Sequence, residues 1–221
     1  MATLREALQK VSAVSDQGYK AWGTHMIAEV VIEAGDPTGA ATILHQAAQT
    51  ASGSRRDFAL EYVATSLAKA GDVAGAHQVA ASIQDTMHKV RAFEGIGGIL
   101  WRGGDRTRAA ASFEQAFQIS VMNKSDVGFR DTGNTQANVG DIPGALKTVA
   151  SMADGYSHKY EVLAAIARAQ FKTGDRSTAQ ATLQEALRKA AAQTDNVKDW
   201  ACWYIAPLRS EERRVGKECR L

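Results

Sequence analysis

The sequence predicts an all-α chain, an α-solenoid of stacked antiparallel helix pairs, on three observations. Apolar residues recur at three- and four-residue intervals along most of the 221 residues, and no stretch alternates as a strand would. Only three prolines are present, so few helix interiors are interrupted. Gly-Asp pairs stand with glycine at 35, 71, 104, 140 and 174, intervals of 36, 33, 36 and 34 residues, which is a repeat period.

Each pair reads as the corner between two helices. A glycine just past a helix end can take the left-handed conformation that closes the last carbonyls. The aspartate after it can cap the next helix, accepting from its first free N–H groups and favouring its positive dipole end. Pro37 follows Asp36 and Pro143 lies two beyond Asp141, inside a first turn that tolerates a missing donor. Five residues after each glycine comes alanine: Ala40, Ala76, Ala109, Ala145 and Ala179. Nine after come Leu44, Ala80, Phe113, Val149 and Leu183; twelve after come Ala47, Ile83, Ala116, Met152 and Ala186. Those offsets trace one helical face. Seven residues before each glycine sit Ala28, Ala64, Gly97, Gly133 and Ala167, where two helices can approach closely.

In chain order, residues 1–20 carry one second helix, with Ala7, Val11 and Val14 matching Ala76, Ala80 and Ile83. Full units follow near 21–56, 57–89, 90–125, 126–159 and 160–193, and a further first helix is expected over 194–208 around Trp200. Trp203, Tyr204 and Ile205 on that helix are expected to leave an apolar end exposed. A longer period overlies the short one: Asp16, Asp85 and Asp154 are 69 apart, as are Asp57, Asp126 and Asp195. Units with a short second helix (ASIQD, ASMAD) therefore alternate with units with a longer one (FEQAFQISV, LQEALRKAAA).

A helix pair of this length, with small, alanine and apolar positions at these spacings, resembles the tetratricopeptide repeat (TPR) over nearly all of residues 1–208. The proline that ends each unit of that family is missing and its aromatic signposts are sparse, so TPR-like is the fitting name. No unit can bury its apolar face alone, and stacking on neighbours supplies the core.

Residues 209–220, RSEERRVGKECR, read either as a basic arm or as the translation of a common sequencing adapter, which they match throughout; residues 209–221 are expected to be a non-native tail. Setting aside their five basic and three acidic residues leaves 21 of each sign, a neutral body. Nucleic-acid binding draws on accumulated positive charge, so that class is disfavoured. MIAEVVI at 26–32 is broken by charge well before a membrane span. The start, MATLREALQKVSAV, is amphipathic rather than a secretory leader, and a cytoplasmic protein is expected. Cys202 and Cys219 form no spaced framework, so neither disulfide nor cofactor is expected.

Candidate chemistry is thin. EGIGGILWRGGD follows no strand, and Gly97 and Gly104 have structural duties, so it is not read as a phosphate loop. His25, Glu29 and Glu33 share a helix face, but three ligands on one rod do not converge on a metal; a solvated or groove-lining face is the plainer reading. No nucleophile and base pair up by motif, and an enzyme is not expected.

Surface recognition remains. The TPR resemblance implies a concave groove lined by first helices, here carrying Trp22, His25, Glu29, Glu33, Glu61 and Glu94 early. Later units carry Trp101, Arg102, Arg130, Asn134, Asn138, Arg168, Phe171 and Lys172. The fourth unit is odd: VGFRDTGNTQANVGD sets Thr132 and Gln136 where its counterpart has Val63 and Leu67, and it includes poor helix formers. Either function, or drift with a frayed helix, is the expectation there. Arg130 and Asn134 would bond a partner's backbone or carboxylate, Arg168 and Lys172 would add charge, and Trp101 or Phe171 would anchor it. The chaperone-tail clamp of some TPRs is not expected, because Ala165 falls where its asparagine would stand, and Asp195 and Asp199 fall where its cations would, two acids that would repel a carboxylate. The expected function is a non-catalytic scaffold that binds a protein or peptide segment. End-to-end self-association through exposed terminal helices is also foreseen. A helical-repeat nucleic-acid binder, or a regulatory segment of a larger protein, is the alternative.

Overall fold

A computed structural model describes residues 2–153, 156 and 158–192, with side chains from residue 6 onward. Among them are eleven α-helices and no strand: α1 (Ala2–Ser12), α2 (Gln17–Glu33), α3 (Pro37–Thr50), α4 (Arg56–Lys69), α5 (Val73–Ser82), α6 (Thr86–Arg102), α7 (Arg106–Met122), α8 (Asp126–Val139), α9 (Ile142–Ser151), α10 (Lys159–Thr173) and α11 (Arg176–Ala191). The protein is an all-α helical repeat. Among the described residues no helix is long and apolar enough to cross a membrane. The residues Trp200, Trp203, Tyr204 and Ile205, the acids Asp154, Asp195 and Asp199, both cysteines and the basic tail lie outside the described residues.

The five corners form as their chemistry requires. Gly35, Gly71, Gly104, Gly140 and Gly174 all have φ between 85° and 93°, the left-handed region that a side chain resists. Each following aspartate accepts from the N–H three residues on: Asp36 from Gly39, Asp72 from Gly75, Asp105 from Arg108, Asp141 from Gly144 and Asp175 from Thr178. Asp16 and Asp85 cap α2 and α6 in the same way. The alternation of second helices is present too: α5 and α9 have 10 residues, α7 and α11 have 17 and 16.

The contacts divide the chain into two compact units, Met1–Asn123 and Lys124–Leu221. In the first, α2, α4 and α6 stack on one another, and each pairs with its own second helix, α3, α5 or α7; α1 lies on α2. In the second, α8 and α10 stack and pair with α9 and α11. All twenty periodic positions, the fifteen from Ala40 to Ala186 and the five small residues before the corners, are buried. The small ones allow close approach. A Cβ added to Gly97 would stand 2.8 Å from the ring of Phe113, and one added to Gly133 would stand 2.4 Å from Val162 Cγ1.

The unusual fourth unit is not frayed: α8 runs unbroken from Asp126 to Val139. The two polar residues that replace apolar ones, Thr132 and Gln136, are core. Thr132 is 0% exposed and Gln136 is 6% exposed. Gln136 Oε1 accepts from the Thr148 hydroxyl at 2.7 Å, and its Nε2 donates to Asp141 Oδ2 at 3.3 Å. Asp141 Oδ1 meanwhile caps α9 through Gly144 N–H at 3.0 Å. A glutamine is tolerated where its counterpart has leucine because both ends of its amide have partners.

Candidate functional site

The polar residues that the sequence sets on first helices meet different fates in the two units. On α2, His25 is buried instead of groove-lining, with Nδ1 2.8 Å from Ser66 Oγ of α4. The Ser66 hydroxyl donates to Glu29 Oε1, so Ser66 accepts the Nδ1 proton of His25. Lys69 Nζ donates to Glu29 Oε2 at 2.6 Å and completes the relay. Burial holds the His25 imidazole below its usual pKa, assisted by Lys69 and opposed by Glu29. Burial by itself would raise the Glu29 carboxyl, but Lys69 and Ser66 bring it below the ordinary range. The cluster is wired in the wrong sense for nucleophilic catalysis: the hydroxyl gives its proton to a carboxylate, the imidazole donates rather than accepts, and Ser66 is 0% exposed.

Glu61 of α4 is likewise engaged, its Oε2 lying 2.7 Å from His88 Nδ1 of α6. Glu94 of α6 is 5% exposed and does not face solvent. Trp101 is half-buried with the Arg106 guanidinium 4.0 Å above its ring, and Arg106 also donates to the Trp101 carbonyl. Arg102 in the last turn of α6 is exposed, as are Glu33 and Trp22 on α2. Of the early acids, Glu29 is paired with Lys69, Glu61 lies against His88 and Glu94 is buried, which leaves Glu33 as the exposed one.

In the second unit Arg130 is also spoken for. Its Nε and Nη2 donate to Asp131 Oδ1 at 2.8 and 2.7 Å. Burial would lower its pKa, but Asp131, with Glu161 and Asp126 further off, raises it, so the guanidinium sits among its own acids. The Asn134 side-chain carbonyl oxygen is buried without a hydrogen-bond partner. Phe171 is half-buried on α10. Asn138, Arg168 and Lys172 do come together: with Ala137, Ala165, Ala169 and the α8 corner at Gly140 they line a cavity of about 130 Å³ between α8 and α10. Two cationic side chains and an amide around one small opening can bind an anion such as a carboxylate.

A larger cleft, about 530 Å³, lies between α1, α2 and α3, lined by Leu8, Val11 and Ile43 with Gln17, Thr24 and Gln46 among its polar members. Among the described residues Lys20 is its one charged wall. The sequence offered no signal for it, because it depends on the angle at which α1 leans on α2. Among the described residues no group of three or more His, Cys, Asp or Glu converges as a metal site. No known protein family matches this sequence, and no curated protein resembles it significantly.

Proposed function

We propose that this chain is a TPR-like, non-catalytic scaffold that binds a segment of a protein partner, in the cytoplasm. The observation that carries the reading is the convergence of Asn138, Arg168 and Lys172 on one cavity between stacked first helices. The TPR resemblance assigns that face to partner binding. The left-handed glycine corners and the buried periodic positions support the resemblance. The segment bound there carries an acidic side chain or a terminal carboxylate, which Arg168 and Lys172 neutralise while Asn138 donates to it. Hydrogen bonds to charged groups contribute roughly 1.5–3 kcal/mol each, so the site acts as an anchor rather than as the whole affinity.

The test is affinity capture with the full chain, followed by binding measurements on the retained partner. Arg168→Glu with Lys172→Glu is expected to weaken that binding at least tenfold, and Lys10→Glu, on α1, to leave it unchanged. Undiminished binding by the double variant would remove the site from the reading.

A further inference from the structure

Eight large apolar side chains are exposed among the described residues, and half of them form one stripe along α2: Tyr19, Trp22, Met26 and Val30, from 36% to 60% exposed. Their spacing of three, four and four places them on one helix face, about 16 Å long at 1.5 Å per residue. Tyr62 of α4, 37% exposed, extends the patch beside His25, its ring 5.4 Å from the imidazole. The opposite face of α2 is also apolar, with Ala21, Ala28 and Val31 in the core. A helix apolar on both faces has a second surface to cover.

The repeat indicates what kind of surface this is. Thirty-six residues on, the same positions are Arg55, just before α4, and Phe58, Tyr62 and Ser66 on it. Arg55 packs on Gly18 and Tyr19, and Tyr62 and Ser66 meet His25, so this face of α4 lies against α2. On α6 the equivalent His88 and Gly95 meet Glu61 and Thr65 of α4. In both neighbours this face takes a helix; on α2 it is exposed.

We propose that the stripe is a dimerisation surface, α2 packing antiparallel on α2 of a second copy about a two-fold axis. Such an interface requires a self-complementary patch. The stripe meets that requirement, with apolar residues spread evenly about its midpoint and opposite charge at its ends. The Tyr19 end carries the Arg55 guanidinium, 4.3 Å from the ring centroid, and the positive end of the helix dipole. The Val30 end carries exposed Glu33 and the negative end. Asp16, the acid at the first end, is turned into the cap on Tyr19 N–H. Antiparallel pairing sets Arg55 of each copy near Glu33 of the other. The five side chains offer on the order of 450 Å² of apolar surface per copy, so the dimer stands at the small end of specific interfaces, with a Kd of roughly 1–100 µM.

Sedimentation velocity of the full chain over roughly 1–500 µM tests this, since it brackets the affinity expected for so small an interface. A concentration-dependent dimer is expected. Val30→Lys and Met26→Glu, both at exposed positions, should each raise its Kd at least tenfold with the helical circular dichroism unchanged. Arg55→Glu alone should weaken it, and adding Glu33→Arg should restore it. A monomer at the highest concentration would overturn the proposal and leave the stripe to a helix of another protein. A dimer indifferent to Val30→Lys and Met26→Glu would overturn it as well, placing self-association on some other face.

Discussion

At the scale of single residues, Gln136 is the most telling. Against its leucine counterpart it looks like a defect, yet it is 6% exposed and bridges Thr148 on α9 to the Asp141 cap. Gln136→Leu would strand a buried hydroxyl and withdraw a donor from Asp141. We expect a loss of about 1–3 kcal/mol by urea denaturation. Gln136→Leu with Thr148→Val, which removes both ends of that bond, should recover part of the loss; additive costs in the double-mutant cycle would show that the two side chains are not coupled. The sequence marked this helix as exceptional but could not say why, because the partner that justifies the glutamine is 12 residues away on another helix. Gly133 is the opposite case. Its smallness was legible from the repeat, and the structure adds only the neighbour, Val162, that enforces it.

Among elements, caps and lengths were legible, and the ties between helices were not. Asp57 shows the difference: it marks a period in the sequence, but it begins no helix. Its Oδ2 accepts from the N–H groups of Gln84 and Asp85 and so holds the loop after α5 to the start of α4. The histidines are a further tie. His25 joins α2 to α4, and His77 Nε2 lies 2.7 Å from the fully buried Ser112 of α7. Burial lowers the pKa of both, and Arg108 adds to the effect at His77. An imidazole whose folded pKa is depressed is protonated first in the unfolded chain, whose value is about 6.5. Stability should therefore be intact above that pH and fall as acid protonates the unfolded state. The carboxylates of Glu29, Asp57 and Asp72, all held low in the fold, add their own loss below about pH 4. Melting temperature should decline from pH 7 to 5, and His25→Gln with His77→Gln should flatten that decline. A melting temperature that is level or rising over that interval would contradict the assignment.

Across the whole molecule, stacking is between neighbours, so stability is expected to be graded along each compact unit rather than uniform. α10, with Tyr160 to Ala167 continuously buried, should be among the slowest helices to exchange its amides. α1, whose described side chains are all exposed or half-buried, should be the fastest. Hydrogen exchange that protects α1 as well as α10 would mean that α1 is held by more than its contact with α2. What the sequence by itself determined was the all-helical repeat: its corners, caps, helix lengths and close-contact positions. Those depend on backbone bonds spanning four residues, on one residue's φ, and on side-chain size at a fixed spacing, all of which a single chain displays. The destinies of its polar residues were settled only by tertiary structure. Whether Glu94 is buried, Glu29 neutralised by Lys69, or Arg130 held among its own acids turns on which side chains stacking sets opposite one another. His45 and Asp72, His88 and Glu61, and His25 and Ser66 meet across 27 to 41 residues of chain, a range over which local spacing carries no information about contact.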